Sequence, residues 1–134
     1  MTENNQFNFQ INDITFSNSS KIVLIAGPCA LESRDHAFEM AGRIKEICKN
    51  INIEFIYKSS FDKANRSSIK SNRGIGIDKA LSIFEELKKN LNISVITDVH
   101  VNGHCNEVAA VVDILQIPAF LCRQTDLLIS AAST

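Results

Sequence analysis

Four short apolar runs, "KIVLIAG", "IEFIYK", "ISVITDVH" and "DILQIPAF", limit the folds open to this chain more than any other feature. The first two are continuously apolar rather than alternating, the pattern of a strand covered on both faces, and the other two read as a third and a fourth strand. After each run the period changes. Residues 34–49 place Ala37, Met40, Ala41, Ile44, Ile47 and Cys48 on one helical face, with Ser33 positioned as N-cap. A second helix starts at Asp78 and carries Leu81, Phe84, Leu87 and Leu91 at helical spacing. "NEVAAVV" predicts a short third helix, and "TDLLISAAS" opens a fourth. The chain thus alternates β-α four times, with connections long enough for parallel crossovers.

Residues 7–19, "FNFQINDITFSNS", alternate apolar and polar around an Asn-Asp turn signal. They predict a hairpin or arm over residues 1–20, ahead of an α/β body over 21–134. Two architectures suit that body: an open doubly wound sheet or a β/α barrel. Both bind ligands at the carboxyl ends of their strands. Those ends read Gly27-Pro28-Cys29, Lys58-Ser59-Ser60, Asp98-Val99-His100 and Gln116-Ile117-Pro118. Four chemically useful endings on one side of a sheet point to a site. A closed barrel takes eight units, so four would leave two long strand edges to be covered. The expectation is that the chain is the first half of a longer one, or that another copy pairs with those edges.

With 45% hydrophobic residues among 134, one domain has enough apolar side chains for a core. The net charge of −1 gives no general attraction to nucleic acid or to an acidic membrane. No apolar run approaches the roughly 20 residues of a membrane span. "MTENNQFNFQ" lacks the basic and apolar parts of a signal peptide, which predicts a cytoplasmic protein. Its four cysteines form no C-x-x-C pair and are expected as thiols or metal ligands rather than disulfides. Cys48 belongs to a helix's apolar face; packing is favoured for Cys105 and Cys122.

The polar stretch "KSSFDKANRSSIKSNRGIG" departs most from this apolar background. It holds five cations, Lys58, Lys63, Arg66, Lys70 and Arg73, together with Asn65, Ser67 and Ser68. Guanidinium and ammonium groups beside hydroxyls suit phosphate and sugar oxygens, and the strand-end position favours a phosphorylated small molecule over a solvated basic loop. Nucleic acid is disfavoured because Phe61 is the loop's one aromatic. Lys58 itself fits either a charge-binding role or Schiff-base chemistry. Asp98 and His100 share one face of their strand and fit a hydroxyl-orienting pair, a carboxylate–imidazole pair, or a plain strand-end hydrogen bond. Cys29 fits a metal ligand or nucleophile as well as a packed thiol. His36 and His104 are expected to be exposed.

"IAGPCALESRD", "KSSFDKANRSSIKSNRGIG", "ITDVH" and "DILQIPAFLCRQTDLL" resemble, in that order, the 3-deoxy-D-manno-octulosonate 8-phosphate synthases. The match runs from about Lys21 to the last residue. This resemblance implies a (β/α)8 TIM-type barrel, here its first four units, and a cytoplasmic homo-oligomer, tetrameric by family. It implies condensation of phosphoenolpyruvate with D-arabinose 5-phosphate and release of phosphate, in lipopolysaccharide sugar synthesis, with no nucleic-acid or membrane partner. C3 of phosphoenolpyruvate would attack the sugar aldehyde and water would add at C2, leaving no role for a Schiff base at Lys58.

The same resemblance assigns the residues. Lys58, Ser60 and Lys63 would face phosphoenolpyruvate, with Lys63 also near the aldehyde. Asn65, Arg66 and Ser67 would hold the sugar phosphate, and Asp98 the sugar hydroxyls, with His100 beside it. The catalytic roles fall to Lys63, Asn65 and Asp98. Gln116 would lie near phosphoenolpyruvate, and Arg123 would reach a neighbouring subunit's sugar phosphate past Pro118, Ala119 and Phe120. Cysteine at position 29 marks the class that binds a divalent ion, whose other ligands belong to the family's second half. "VHVNGHCNE" departs from the usual continuation after this strand. The alternative expectation is a truncated, inactive remnant or a half-barrel that binds phosphosugars without turnover.

Overall fold

The computed structural model describes residues 7–63, 68, 70 and 73–134. It opens with the expected hairpin, β1 (Asn8–Ile11) paired antiparallel with β2 (Ile14–Ser17). The two-residue loop between them sets Asn12 at φ +51°, a left-handed conformation that asparagine tolerates better than most side chains. Phe9 and Phe16 face each other across the strands with their rings stacked 4.7 Å apart.

Four strands then form one parallel sheet in chain order: β3 (Val23–Ala26), β4 (Glu54–Lys58), β5 (Ser94–Asp98) and β6 (Ile114–Gln116). Helices α1 (Arg34–Asn50), α2 (Ile77–Leu91), α3 (Cys105–Ala109) and α4 (Thr125–Ala132) follow them in alternation. Strand parity divides the core. Phe55, Tyr57, Val95 and Val99 point one way and pack with buried residues from all four helices, among them Ala37, Phe84, Val108 and Leu127. Ile56 and Ile96 point the other way, where Ile14 of the hairpin meets them. Helices on one face and chain-order strands are the geometry of a barrel segment. A doubly wound sheet would reverse its strand order and carry helices on both faces.

The helix starts follow local chemistry. Ser33 caps α1 by accepting a bond from the His36 amide at 3.2 Å. Leu81, Phe84 and Leu87 are buried along α2 as their spacing predicts. Ile47 is the exception, 59% exposed. Ala37, Ala41, Ile44 and Cys48 define the stripe facing the sheet, and Ile47 sits about 90° round the helix from it.

Polar side chains fasten the hairpin across the amino-terminal end of the sheet. Asn12 Nδ2 donates to Ser94 Oγ and to Asp113 Oδ1, each at 3.0 Å. Asp113 also accepts from the Val95 amide and from Lys88 Nζ, each at 2.8 Å. No helix among the described residues is long and apolar enough to cross a membrane.

Candidate functional site

The alternation that sends Ile56, Ile96 and Ile114 to the hairpin side carries Lys58, Asp98 and Gln116 to the same face, at the carboxyl end. Register then sets their neighbours: Lys58 pairs with Ile96, and Asp98 with Gln116. Three strands thus deliver a cation, a carboxylate and an amide to one rim.

Beyond the strands, side chains lace the tips together. Ser59 Oγ donates to the Pro28 carbonyl at 2.9 Å, and Thr97 Oγ1 to the Ser59 carbonyl at 2.7 Å. Backbone bonds run from the Leu31 amide to the Ser60 carbonyl and from the Val99 amide to the Gln116 carbonyl, at 2.9 and 3.1 Å. Gly27 permits the closest approach. A Cβ there would stand 2.0 Å from the Lys58 carbonyl oxygen, so no larger residue fits between β3 and β4.

Ser60, fully buried, is where the site's charges meet. Lys58 Nζ donates to its Oγ at 3.0 Å and Lys63 Nζ at 2.8 Å. A hydroxyl has two acceptor lone pairs and one proton, so two ammonium donors leave the Ser60 proton to be given away. The carboxylate beside it belongs to Asp98, 6% exposed. Burial pushes the Asp98 carboxyl up, but hydrogen bonds from His100 and Ser60 and the Lys58 charge outweigh it and hold it at about 2. Asp98 is therefore ionised at neutral pH. Its Oδ2 lies 3.2 Å from His100 Nε2, while Oδ1 is buried with no hydrogen-bond partner among the described residues.

The polar loop is closed at its base by Arg73, whose guanidinium makes a two-pronged contact with Asp62 at 2.8 and 2.5 Å. That bond, more than the accompanying charge, lowers the Asp62 carboxyl. Arg73, one of the five cations in the sequence, is thus engaged by a carboxylate. Asn65, Arg66 and Ser67 lie outside the described residues. Pro118 leads into a 3₁₀ turn at Ala119–Leu121 that presents Phe120, 85% exposed, and Arg123 is exposed beyond it.

Cys29 is an exposed thiol at the tip of β3. Among the described residues no three His, Cys, Asp or Glu side chains converge to hold a metal ion. Cys48 and Cys105 are buried, whereas Cys122, directly after the 3₁₀ turn, is exposed.

Two residues beside the site gave no signal in the sequence. Phe61 follows Ser60 and is buried, and its ring meets His100 and His104 edge-on at 5.5 and 5.9 Å. His104 is half-buried rather than exposed, because the 3₁₀ turn Asn102–His104 swings it back over Phe61. A hollow of about 850 Å3 lies at the opposite end of the sheet, lined by Asn12, Lys45, Lys88 and Asp113 among others. Two of its three lysines are already bound to backbone carbonyls, Lys45 to Leu91 and Lys88 to Val111. The strand-end rim, where two ammonium groups and an ionised carboxylate with a free oxygen converge, is the better candidate. It can grip an anionic group and a hydroxyl of one small molecule together.

Comparison with known proteins gives a consistent result. The model of the DAHP synthetase I family matches residues 2–134. A 2-dehydro-3-deoxyphosphooctonate aldolase of Brucella ovis is 61% identical over 125 residues, covering 93% of this chain and 45% of that protein. The protein of the same name from Brucella anthropi is 59% identical over the same coverage. The chain thus spans about half the length of the curated relatives it matches.

Proposed function

Because the chain belongs to the DAHP synthetase I family, we propose that it forms the amino-terminal half of a 2-dehydro-3-deoxyphosphooctonate aldolase site. Working in the synthetic direction, that site joins phosphoenolpyruvate to D-arabinose 5-phosphate and releases phosphate. The convergence of Lys58 and Lys63 on Ser60, beside the ionised Asp98, carries this proposal.

The chemistry asks for such a group. In the condensation a bond forms between C3 of phosphoenolpyruvate and the aldehyde carbon, whose oxygen takes a proton. Water adds at C2, and the C2–O bond to phosphate breaks with its electrons leaving on phosphate. Lys58 and Lys63 bind the carboxylate and phosphate of phosphoenolpyruvate, and Lys63 also faces the charge that develops on the aldehyde oxygen. Asp98 Oδ1, lacking a donor, accepts a sugar hydroxyl, with His100 fixing the other oxygen. Asn65, Arg66 and Ser67 take the sugar phosphate, and Gln116 lies near phosphoenolpyruvate. Arg123, past Pro118, Ala119 and Phe120, reaches a neighbouring subunit of a homo-oligomer.

A divalent ion is tied to Cys29 by this assignment, but a lone exposed thiol does not fit one. Further ligands from outside the described residues are required, and no step above passes through the ion. The site would work in the cytoplasm, where both substrates are soluble anions.

Titration of the purified chain with arabinose 5-phosphate, followed by a phosphate-release assay with phosphoenolpyruvate, tests the proposal. Saturable sugar-phosphate binding without phosphate release is expected. A folded chain that binds no arabinose 5-phosphate would refute the site, and release by this chain alone would refute its being half of one.

A further inference from the structure

Asp98 has one neighbour whose own orientation needs explaining. The His100 imidazole holds Asp98 Oδ2 through Nε2, yet its Nδ1 is buried with no hydrogen-bond partner among the described residues. A histidine's second ring nitrogen often fixes the ring through a bond to a carbonyl or carboxylate. Here the ring plane must be set by packing. The packing partner is Phe61, 2% exposed, with ring planes at 81° to each other.

Phe61 is braced in turn. On a second side His104 meets it at 67°, and the Nδ1 of His104 is likewise buried without a partner among the described residues. From the main-chain side, the Phe61 carbonyl packs so closely on Gly74 that a Cβ there would stand 2.2 Å away. The 3₁₀ turn bearing His104 is itself fixed by the bond from its amide to the Val101 carbonyl at 3.1 Å. Edge-to-face contacts constrain ring tilt as well as distance, because the positive edge of one ring seeks the negative face of the other.

We infer that His104 and Phe61 are positioning residues: His104 braces Phe61, and Phe61 sets the His100 ring so that its Nε2–H holds Asp98 Oδ2 and leaves Oδ1 for an incoming hydroxyl. Neither His104 nor Phe61 touches the ligand. Their role rests on the proposed function only in naming that hydroxyl as a sugar's; the brace itself is a property of the folded chain.

The imidazole protons of the 15N-histidine-labelled chain provide the test. A ring N–H held by a buried carboxylate exchanges slowly with water, and a freed one exchanges fast. Phe61→Leu and His104→Ala are each expected to speed exchange of the His100 Nε2 proton at least tenfold. His104→Phe, which restores an aromatic edge without a nitrogen, is expected to return it to the wild-type rate. Amide spectra of α1 and α2 report whether the fold survives, which separates loss of the brace from unfolding. A His100 proton that exchanges equally fast in the wild type and in folded His104→Ala overturns the inference. Arabinose 5-phosphate binding is measured on the same samples. A wild type with a protected His100 proton and no sugar-phosphate binding would refute the function and leave the brace standing.

Discussion

Replacing Asp113 by alanine perturbs the end of the sheet farthest from the site, and its cost can be worked from the contacts. The carboxylate accepts from the Val95 amide, Lys88 Nζ and Asn12 Nδ2, and its side chain is 10% exposed. Removing it leaves the amide of the fully buried Val95 without an acceptor, which costs about 1–3 kcal/mol. The lysine contributes less. Lys88 is a third exposed and keeps the Val111 carbonyl, so its share is discounted to roughly 0.5 kcal/mol. Asn12 retains Ser94, and losing its second bond adds about 0.5–1 kcal/mol. Asp113→Ala should therefore destabilise the chain by about 2–4.5 kcal/mol at pH 7, read from urea unfolding. Faster amide exchange in β1 and β2 should accompany it, since the hairpin loses a tether.

The pH dependence supplies the sign. Burial raises the Asp113 carboxyl, but bonds from Lys88, Asn12 and the Val95 amide lower it further, so its folded value lies below the ordinary one. Its stabilisation is full above the unfolded carboxyl range and is lost as pH falls through the lower folded value. The gap between wild type and variant should thus narrow in acid. A cost below about 0.5 kcal/mol at neutral pH, or a gap unchanged at low pH, would refute the reasoning.

Three other substitutions probe the rim. Gly27→Ala forces a Cβ onto the Lys58 carbonyl oxygen, which backbone cannot evade, so thermal unfolding should show a loss above about 3 kcal/mol. Asp98→Asn keeps the shape and removes the charge; calorimetry should show arabinose 5-phosphate affinity falling about tenfold, or about 1.4 kcal/mol. Because the Asp98 carboxyl is held at about 2, wild-type binding should show no Asp98 titration between pH 8 and 4, and a midpoint from this group near 4 would contradict the geometry. Ser60→Ala deprives both ammonium groups of their shared acceptor and should weaken phosphoenolpyruvate binding more than Ser59→Ala. Equal effects in binding titrations would count against the central place given to Ser60.

The strands and helices were legible because each repeats a simple period. The continuous runs at Ile56 and Ile96 had to be buried on both faces, whereas the run at Leu24 forms the edge strand and leaves Ile25 45% exposed; Leu81, Phe84 and Leu87 could share one face only in a helix. Sheet order was not legible, since a doubly wound sheet has the same alternation; the resemblance to known synthases favoured the barrel, and the split of helices and hairpin between the two faces bears it out. At the site, Lys58 and Asp98 announced themselves as charges ending apolar strands. Phe61 and His104 did not. A phenylalanine in a polar loop and a histidine after a glycine carry no period, and their contact joins segments about forty residues apart in the chain. Arg73 misled in the opposite sense, because its partner Asp62 lies across the loop rather than beside it in sequence.

The laced strand tips set how ligand binding should register thermodynamically. Pro28, Ser59, Ser60, Thr97, Val99 and Gln116 are bonded to one another within the folded chain. The entropy of bringing their four segments together is therefore lost when the chain folds, not when a substrate arrives. Binding at this rim should be close to rigid-body recognition, with a heat-capacity change set by the surface the ligand covers rather than by coupled folding. Substitutions that leave the lacing intact would then alter affinity through the contacts they remove.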